Sequence, residues 1–156
     1  LAALSGPAFD ERASIALRDA VLIEWIEALP AAIDLADLKS VAARRRVVDR
    51  AREMMLSRTS EPASILEICS RIGASPRKLS YCFQDALGIS PAKYLRAVRL
   101  NNARRDLKQP DGPDTCVQDV AARWGFWHLG QFSLDYKRQF SELPSATLRS
   151  ARALRA

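Results

Sequence analysis

A group of polar side chains follows the dipeptide Ser75-Pro76, which is a strong start signal for a helix. The helix is predicted to run from Pro76 to Leu87. Its outward side offers side chains that can form hydrogen bonds: Arg77, Lys78, Ser80, Tyr81 and Gln84. Arginine suits a guanine edge, because its paired donors match O6 and N7. These side chains indicate either recognition of nucleic-acid bases or a face that is merely exposed to solvent.

Residues of the kinds that form catalytic or metal sites are few. Catalysis needs a nucleophile or an acid-base pair with an orienting partner in a pocket. The chain has one histidine, His128, and three cysteines without a C-x-x-C pair. Carboxylates such as Glu24 and Glu27 are scattered on an amphipathic segment. The sequence therefore predicts no enzyme, no metal site and no cofactor, and Cys69 and Cys82 are interpreted as core residues rather than redox sensors.

Positive charge is concentrated in the middle of the chain. The net charge of the whole sequence is +6, and it divides into −4 for residues 1–40, +9 for residues 41–108 and +1 for residues 109–156. A local excess of lysine and arginine attracts phosphates and gives salt-dependent binding without sequence preference. A solvated basic face without a partner is the alternative, so the charge needs a second observation beside it.

An internal repeat provides that observation. The stretch 65–96 reappears at 117–149, and each copy reads as a helix, a glycine-containing turn and a helix, which is the layout of a helix-turn-helix unit. The pairs at an offset of 52 are Ile65 and Val117, Glu67 and Asp119, Ile68 and Val120, Arg71 and Arg123, and Gly73 and Gly125; those at 53 are Leu79 and Phe132, Phe83 and Tyr136, Pro91 and Pro144, Leu95 and Leu148, and Arg96 and Arg149. The extra residue of the second copy falls near Trp127, which is expected to be exposed. Two such units on a basic chain point to DNA.

Capping signals predict where the helices begin. Ser64 with Glu67 forms a capping box for the first helix of the first unit, and Thr115 with Gln118 is predicted to do the same for the second unit. Ser90-Pro91 starts a long helix that ends near Lys108 and joins the units. The second helix of the second unit is predicted from about Leu129 to Phe140. No alternating β-branched run is present, so the fold is predicted to be all-α.

The predicted core follows from helical spacing. In the helix from Pro76 to Leu87 the inward side is predicted to be Leu79, Cys82, Phe83 and Ala86. The aromatic residues of the second unit that are expected in the core are Trp124, Phe126, Phe132, Tyr136 and Phe140.

Residues 1–40 are assigned to a separate N-terminal segment. Apolar residues within 14–29 are spaced as in an amphipathic helix, which either packs on the first unit or forms a homodimer contact. Because residue 1 is Leu, the chain is expected to be a fragment that lacks a sensor or dimerisation domain.

A further helix is predicted from Val41 to about Leu56, with its arginines, Arg44 included, in solvent. Residues 41–108 form the first subdomain with the linker helix, and residues 109–156 form the second subdomain.

Several spaced motifs together resemble a known family. They are Ser75-Pro76-Arg77-Lys78-Leu79 with Phe83, Leu87-Gly88-Ile89-Ser90-Pro91 through Tyr94-Leu95, Arg99-Leu100 with Ala103-Arg104, Val120-Ala121 with Gly125-Phe126, Phe132-Ser133, Tyr136-Lys137, and finally Phe140, Pro144 and Arg149. Over roughly residues 44–150 the chain resembles the DNA-binding domain of AraC/XylS-type bacterial transcription regulators. The resemblance implies two helix-turn-helix subdomains on a rigid linker helix, with recognition helices in successive major grooves of double-stranded DNA. It also implies a bacterial regulator, and many family members contact RNA polymerase. No apolar run in the sequence approaches the length of a membrane span, so a cytoplasmic protein is expected.

Candidate DNA contacts follow from matching this sequence to the family pattern. In the first unit the base-reading positions are Arg77, Ser80 and Tyr81, with Lys78 and Gln84 nearby, and in the second they are Leu129, Gly130, Ser133 and Leu134. His128 either caps the second recognition helix or contacts a phosphate. Further candidate phosphate contacts are Arg44, Ser75, Arg96 and Lys137. About half of the arginines outside the recognition helices are expected to be solvated or paired with acids instead.

The second recognition helix is poor in hydrogen-bonding side chains. The first unit is therefore expected to supply most direct base readout, while the second contributes contacts to thymine methyl groups, contacts to the DNA backbone, or little specificity. The alternative function is a helical interaction or dimerisation module whose DNA specificity is weak or lost.

Overall fold

The computed structural model of the chain describes residue 21 and residues 40–57, 63–112 and 114–154. These residues contain seven α-helices and no strand, which confirms the all-α prediction for this part of the chain. The helices are α1 Val41–Leu56, α2 Ile65–Ile72, α3 Pro76–Leu87, α4 Pro91–Lys108, α5 Val117–Arg123, α6 Leu129–Phe140 and α7 Pro144–Ala153. None of them is long and apolar enough to cross a bilayer. The predicted amphipathic helix within 14–29, with its proposed dimer contact, lies outside the described residues apart from Val21.

The first unit packs α1, α2 and α3 around one core. Ser64 caps α2, because its hydroxyl oxygen accepts a hydrogen bond from the Glu67 N–H at 3.1 Å. Gly73 ends the helix with a φ of 67°, a left-handed conformation that suits glycine. The core residues are Val48, Ala51, Met55, Ile65, Ile68, Cys69, Leu79, Cys82, Phe83 and Leu95. The recognition helix α3 is thus fixed by its own apolar side.

The second unit is built on a row of aromatic rings in tilted and edge-to-face contact. Phe126, Phe132, Tyr136 and Phe140 follow one another, with adjacent ring centroids 4.9, 5.6 and 4.7 Å apart. The buried Tyr136 hydroxyl is 2.9 Å from the Thr147 hydroxyl, so its polar end has a partner on α7. Trp124 is also buried, which confirms the predicted core of this unit. The rings hold α6 against α7 and against the turn that precedes α6.

Helix α4 belongs to both cores. Leu95 is buried in the first core, whereas Leu100, Ala103 and Leu107 are buried in the second. At about 100° per residue, Leu95 and Leu100 project about 140° apart around the helix axis. The two units therefore lie against different sides of one continuous helix, and the helix sets how they are placed.

The structure corrects two local predictions. The cap of α5 is Cys116, not Thr115, and the Cys116 sulfur accepts from the Asp119 N–H at 3.4 Å. The Thr115 hydroxyl instead accepts a hydrogen bond from the Gly112 N–H, in the turn that precedes α5. Ala86 is exposed rather than inward, because the last turn of α3 extends beyond the core, as the exposure of Leu87 also shows.

Candidate nucleic-acid interface

Helix α3 is held firmly at its start and along its inner side. The Ser75 hydroxyl oxygen accepts a hydrogen bond from the Lys78 N–H at 3.2 Å, and Pro76 occupies the first turn. Leu79, Cys82 and Phe83 are fully buried. These contacts fix the direction in which the opposite face of α3 points.

The outer face of α3 collects the predicted base-reading residues of the first unit. Arg77, Ser80, Tyr81 and Gln84 are spaced by three, four and seven residues, so they share one side of the helix. Tyr81 and Gln84 are exposed, whereas Arg77 and Ser80 are half-buried. The face combines a guanidinium, two hydroxyls and an amide, which suits the donor and acceptor groups of a major groove.

Lys78 lies beside that face rather than on it. Its side chain lines a cleft with the α1 residues Arg46 and Arg50, and the acids Asp49 and Glu53 line the same cleft. Arg46 and Arg50 are exposed. The basic residues of α1 thus continue the positive charge from the edge of the recognition helix.

The corresponding face of α6 carries fewer hydrogen-bonding side chains than that of α3. Leu129 is 41% exposed and Leu134 is 61% exposed, so both side chains are accessible to a ligand. The Ser133 hydroxyl donates to the Leu129 carbonyl at 2.9 Å, so this hydroxyl is already engaged. Gly130 and Lys137 are exposed on the same side. The Ser133 hydroxyl hydrogen is thus used within the helix, and weak base readout by α6 stays a prediction.

The bend before α6 contains the residues Trp127 and His128. Trp127 is 39% exposed, as predicted for the residue inserted relative to the first unit. His128 occupies the position of the N-cap, but its side chain forms no capping hydrogen bond. The capping hypothesis for His128 is thus wrong, and a phosphate contact remains a prediction.

Several arginines outside the recognition helices form contacts within the fold. Arg44 is paired with Asp85 at 2.7 Å and its side chain is only 16% exposed, so the prediction that it stays in solvent is wrong. Arg104 is paired with Glu142 at 2.8 Å. Arg96 is paired with Asp135, although half of its side chain stays exposed. These ion pairs agree with the expectation that part of the basic residues stabilise the fold instead of binding phosphate.

Burial changes the acidity of groups near both recognition helices. It raises the pKa of the Cys69 thiol to about 11, and it also raises the pKa of Cys82. Burial likewise raises the pKa of the Tyr136 hydroxyl. Thiols and hydroxyls of this kind stay protonated at neutral pH and pack as core groups. Among the residues that the structure describes, no cluster of His, Cys, Asp and Glu could hold a metal ion.

Sequence reasoning missed one residue of this region, Asp135. It is 8% exposed on the inner side of α6, beside the buried Tyr136. The repeat contained a signal, because the equivalent residue of the first unit at an offset of 53 is the buried Cys82. A carboxylate at a buried position requires a cationic partner from another element.

Comparison with known proteins identifies the family. A model described as a helix-turn-helix domain matches residues 68–150, more than half of the chain. A probable thc operon regulatory protein of Rhodococcus erythropolis is 34% identical over 104 residues, which are 67% of this chain and 31% of that protein. The chain therefore spans about a third of that relative.

Two solved structures share the architecture. One is a probable AraC family transcriptional regulator from Rhodopseudomonas palustris, with 33% identity and a TM-score of 0.61 over 68% of this chain and 97% of that chain. The other is the DNA-binding domain of the global transcriptional factor AdpA in complex with a target DNA, with 27% identity and a TM-score of 0.52 over 72% of this chain and 95% of that chain. With its tandem units on one linker helix, the chain belongs to the AraC-type helix-turn-helix family of DNA-binding transcription regulators.

Proposed function

We propose that this chain is the sequence-specific DNA-binding part of a transcription regulator, in which α3 and α6 enter successive major grooves of one duplex. The observation that carries the proposal is the placement of both units on α4, with one core on each side of the helix. Its 18 residues span about 27 Å. Successive major grooves on one face of DNA are about 34 Å apart, so recognition helices held by a rod of this size can read a continuous site.

The recognition helices α3 and α6 contribute differently to base recognition in this proposal. Arg77 on α3 can contact O6 and N7 of a guanine, and Tyr81 and Gln84 add hydrogen-bonding groups on the same face. The exposed Leu129 and Leu134 of α6 favour contacts with thymine methyl groups. The complex of the AdpA domain with its target DNA supports double-stranded DNA as the ligand.

Other partners belong to the same proposal. The proposal includes a cytoplasmic location and contact with RNA polymerase, both of which the resemblance to AraC/XylS-type regulators favours. A homodimer through residues 14–29 stays a prediction, since that segment lies outside the described residues.

The experiment is selection of duplexes by the whole chain from a random pool at two salt concentrations. Enrichment of a motif of about two helical turns, with affinity that falls steeply as salt rises, is the expected result. Arg77→Ala should relax the preference in one half of the motif by about 1–3 kcal/mol. Leu129→Ala and Ser133→Ala should change specificity less. A footprint of a single turn, or a larger loss of specificity from the α6 variants, would contradict this division.

The alternative is a protein-interaction module, which the exposed leucines of α6 favour. In that case no motif would be enriched, and DNA binding would be weak and insensitive to salt.

A further inference from the structure

A buried carboxylate connects the second recognition helix to the linker helix. Asp135 lies on the inner side of α6, and its side chain is 10% exposed. One carboxylate oxygen pairs with the guanidinium of Arg96 on α4, and the other accepts from the Gln131 Nε2 at 3.1 Å. Arg138 lies 3.6 Å from the second oxygen and is 81% exposed. Arg96 is therefore the partner that reaches Asp135 from another helix.

The position of Arg96 along α4 determines where the ion pair holds α6. Arg96 directly follows Leu95, whose side chain is buried in the first core, while the second core begins at Leu100. Around the helix axis Arg96 lies about 40° from Leu100, so it faces the second unit, while along the axis it lies beside Leu95. The pair thus joins α6 to α4 at the point on the helix nearest the first core. The Arg96 guanidinium also lies 5.9 Å from the ring centroid of Phe126, and Gln139 of α6 donates to the Ala97 carbonyl at 3.3 Å. Two of these contacts hold α6, and the contact with Phe126 holds the turn before it, beside the same turn of α4.

This arrangement has no counterpart at the matching position of the first unit. There the residue equivalent to Asp135 is Cys82, which is buried among apolar side chains. The packing of α6 therefore combines an apolar core with a directional ion pair. Buried ion pairs contribute little net stability relative to apolar replacements, and their best-supported use is to select one arrangement over others.

We propose that the pair of Arg96 and Asp135 sets the angle and separation between α6 and α3, and thereby the spacing of half-sites that the chain accepts. This rests on the proposed DNA-binding function. Inserting one base pair moves two half-sites apart by about 3.4 Å and rotates them by about 34°. A firmly held α6 cannot follow such a change, whereas an α6 without its ion pair can pivot on the apolar core. Arg96 and Asp135 are positioning residues in this account.

The test uses duplexes that the whole chain enriches from a random pool, remade with one base pair inserted or deleted between the two halves. The wild-type chain is expected to bind either altered duplex about tenfold more weakly. Asp135→Asn keeps the size of the side chain but removes its charge, and it should reduce this penalty to about threefold or less. Arg96→Gln should have the same effect, and the double variant should add nothing, because both changes break one contact.

A matched control removes an ion pair that joins α4 to the turn after α6 rather than to α6 itself. Glu142→Gln breaks the pair with Arg104, which projects from the part of α4 that carries the second core. This variant should keep the full spacing penalty even where thermal unfolding shows lower stability. A duplex with only the half read by α3 gives the affinity expected when the second unit contributes nothing.

The outcomes distinguish a failure of the positioning role from a failure of the proposed DNA-binding function. If both Asp135→Asn and Arg96→Gln retain the full spacing penalty, the pair does not position α6, and the proposed function stands. If both variants bind every duplex no better than the half-site duplex, the pair serves stability rather than placement, and the inference is overturned. If the wild-type chain enriches no motif of two turns, the proposed function itself fails.

Discussion

Ser64 and Cys116 occupy the same position in the two units, 52 residues apart, and each caps the helix that follows it. The Ser64 hydroxyl oxygen accepts from the Glu67 N–H at 3.1 Å, and the Cys116 sulfur accepts from the Asp119 N–H at 3.4 Å. Sulfur is a weak acceptor, whereas serine is among the best capping residues. The second unit therefore begins with a weaker cap than the first.

The change Cys116→Ser should raise the free energy of unfolding by a few tenths to about 1 kcal/mol, because it replaces the sulfur with a stronger acceptor. Urea unfolding followed by circular dichroism measures this difference. Ser64→Ala provides the comparison, with an expected loss of about 1 kcal/mol. A less stable Cys116→Ser protein would contradict the role of residue 116 as a cap.

The sequence predicted those features of the fold that depend on neighbouring residues. Ser75 with Pro76 fixed the start of α3, and Gly88 fixed its end, because caps and turns are set within a few residues. Ion pairs between distant residues could not be predicted in this way. Arg96 and Asp135 are 39 residues apart, and Arg44 and Asp85 are 41 apart, so their contact depends on how whole helices pack.

The candidate site was predicted unevenly for the same reason. The outer face of α3 follows directly from helical periodicity once the helix is located. The hydrogen bond from the Ser133 hydroxyl to the Leu129 carbonyl was not predicted. A serine within a helix can either face solvent or donate to a carbonyl of the preceding turn.

Replacement of thymine by uracil tests the contacts of α6. Uracil lacks the methyl group but keeps the hydrogen-bonding edge, so the change removes only an apolar contact. In the half read by α6, each contacted thymine should contribute about fourfold in affinity, as expected for one buried methyl group. Equilibrium binding to matched duplexes at constant salt measures the loss.

Two controls make this result specific. Leu134→Ala should remove most of the difference between thymine and uracil, since Leu134 is the more exposed of the two leucines on α6. Uracil in the half read by α3 should have little effect where Arg77 contacts a guanine. Specific binding that is unchanged by uracil in the α6 half would show that the leucines do not contact methyl groups.

The salt dependence of binding tests Lys137 as a phosphate contact. Lys137 is exposed on the side of α6 that carries Leu129 and Leu134, and its long side chain can reach a phosphate at the rim of the groove. Lys137→Gln should reduce the slope of log affinity against log salt concentration by about 1, without changing the preferred motif. Arg138→Gln removes the same charge from the next residue, which points about 100° away around the helix. Equal changes in slope for both variants would assign the effect to net charge rather than to a contact.

The buried thiols should give the unfolding equilibrium a defined dependence on alkaline pH. Burial raises the pKa of Cys69 to about 11, whereas an unfolded cysteine has a pKa of about 8.5. The stabilisation is complete below about pH 8.5, because both states are then protonated. As pH rises further, the unfolded chain loses its proton first, so the free energy of unfolding falls until about pH 11.

Comparison of variants isolates the contribution of Cys69. Its share of the loss should be about 2–3 kcal/mol by pH 11. Cys69→Ala lowers stability at neutral pH but should remove this share of the alkaline loss, while Cys116→Ser should retain it because Cys116 is exposed. Denaturant unfolding of both variants in the same buffers cancels the titration of lysines and tyrosines. An identical alkaline loss in Cys69→Ala and in the wild-type chain would mean that the Cys69 thiol ionises as readily in the folded state as in the unfolded one.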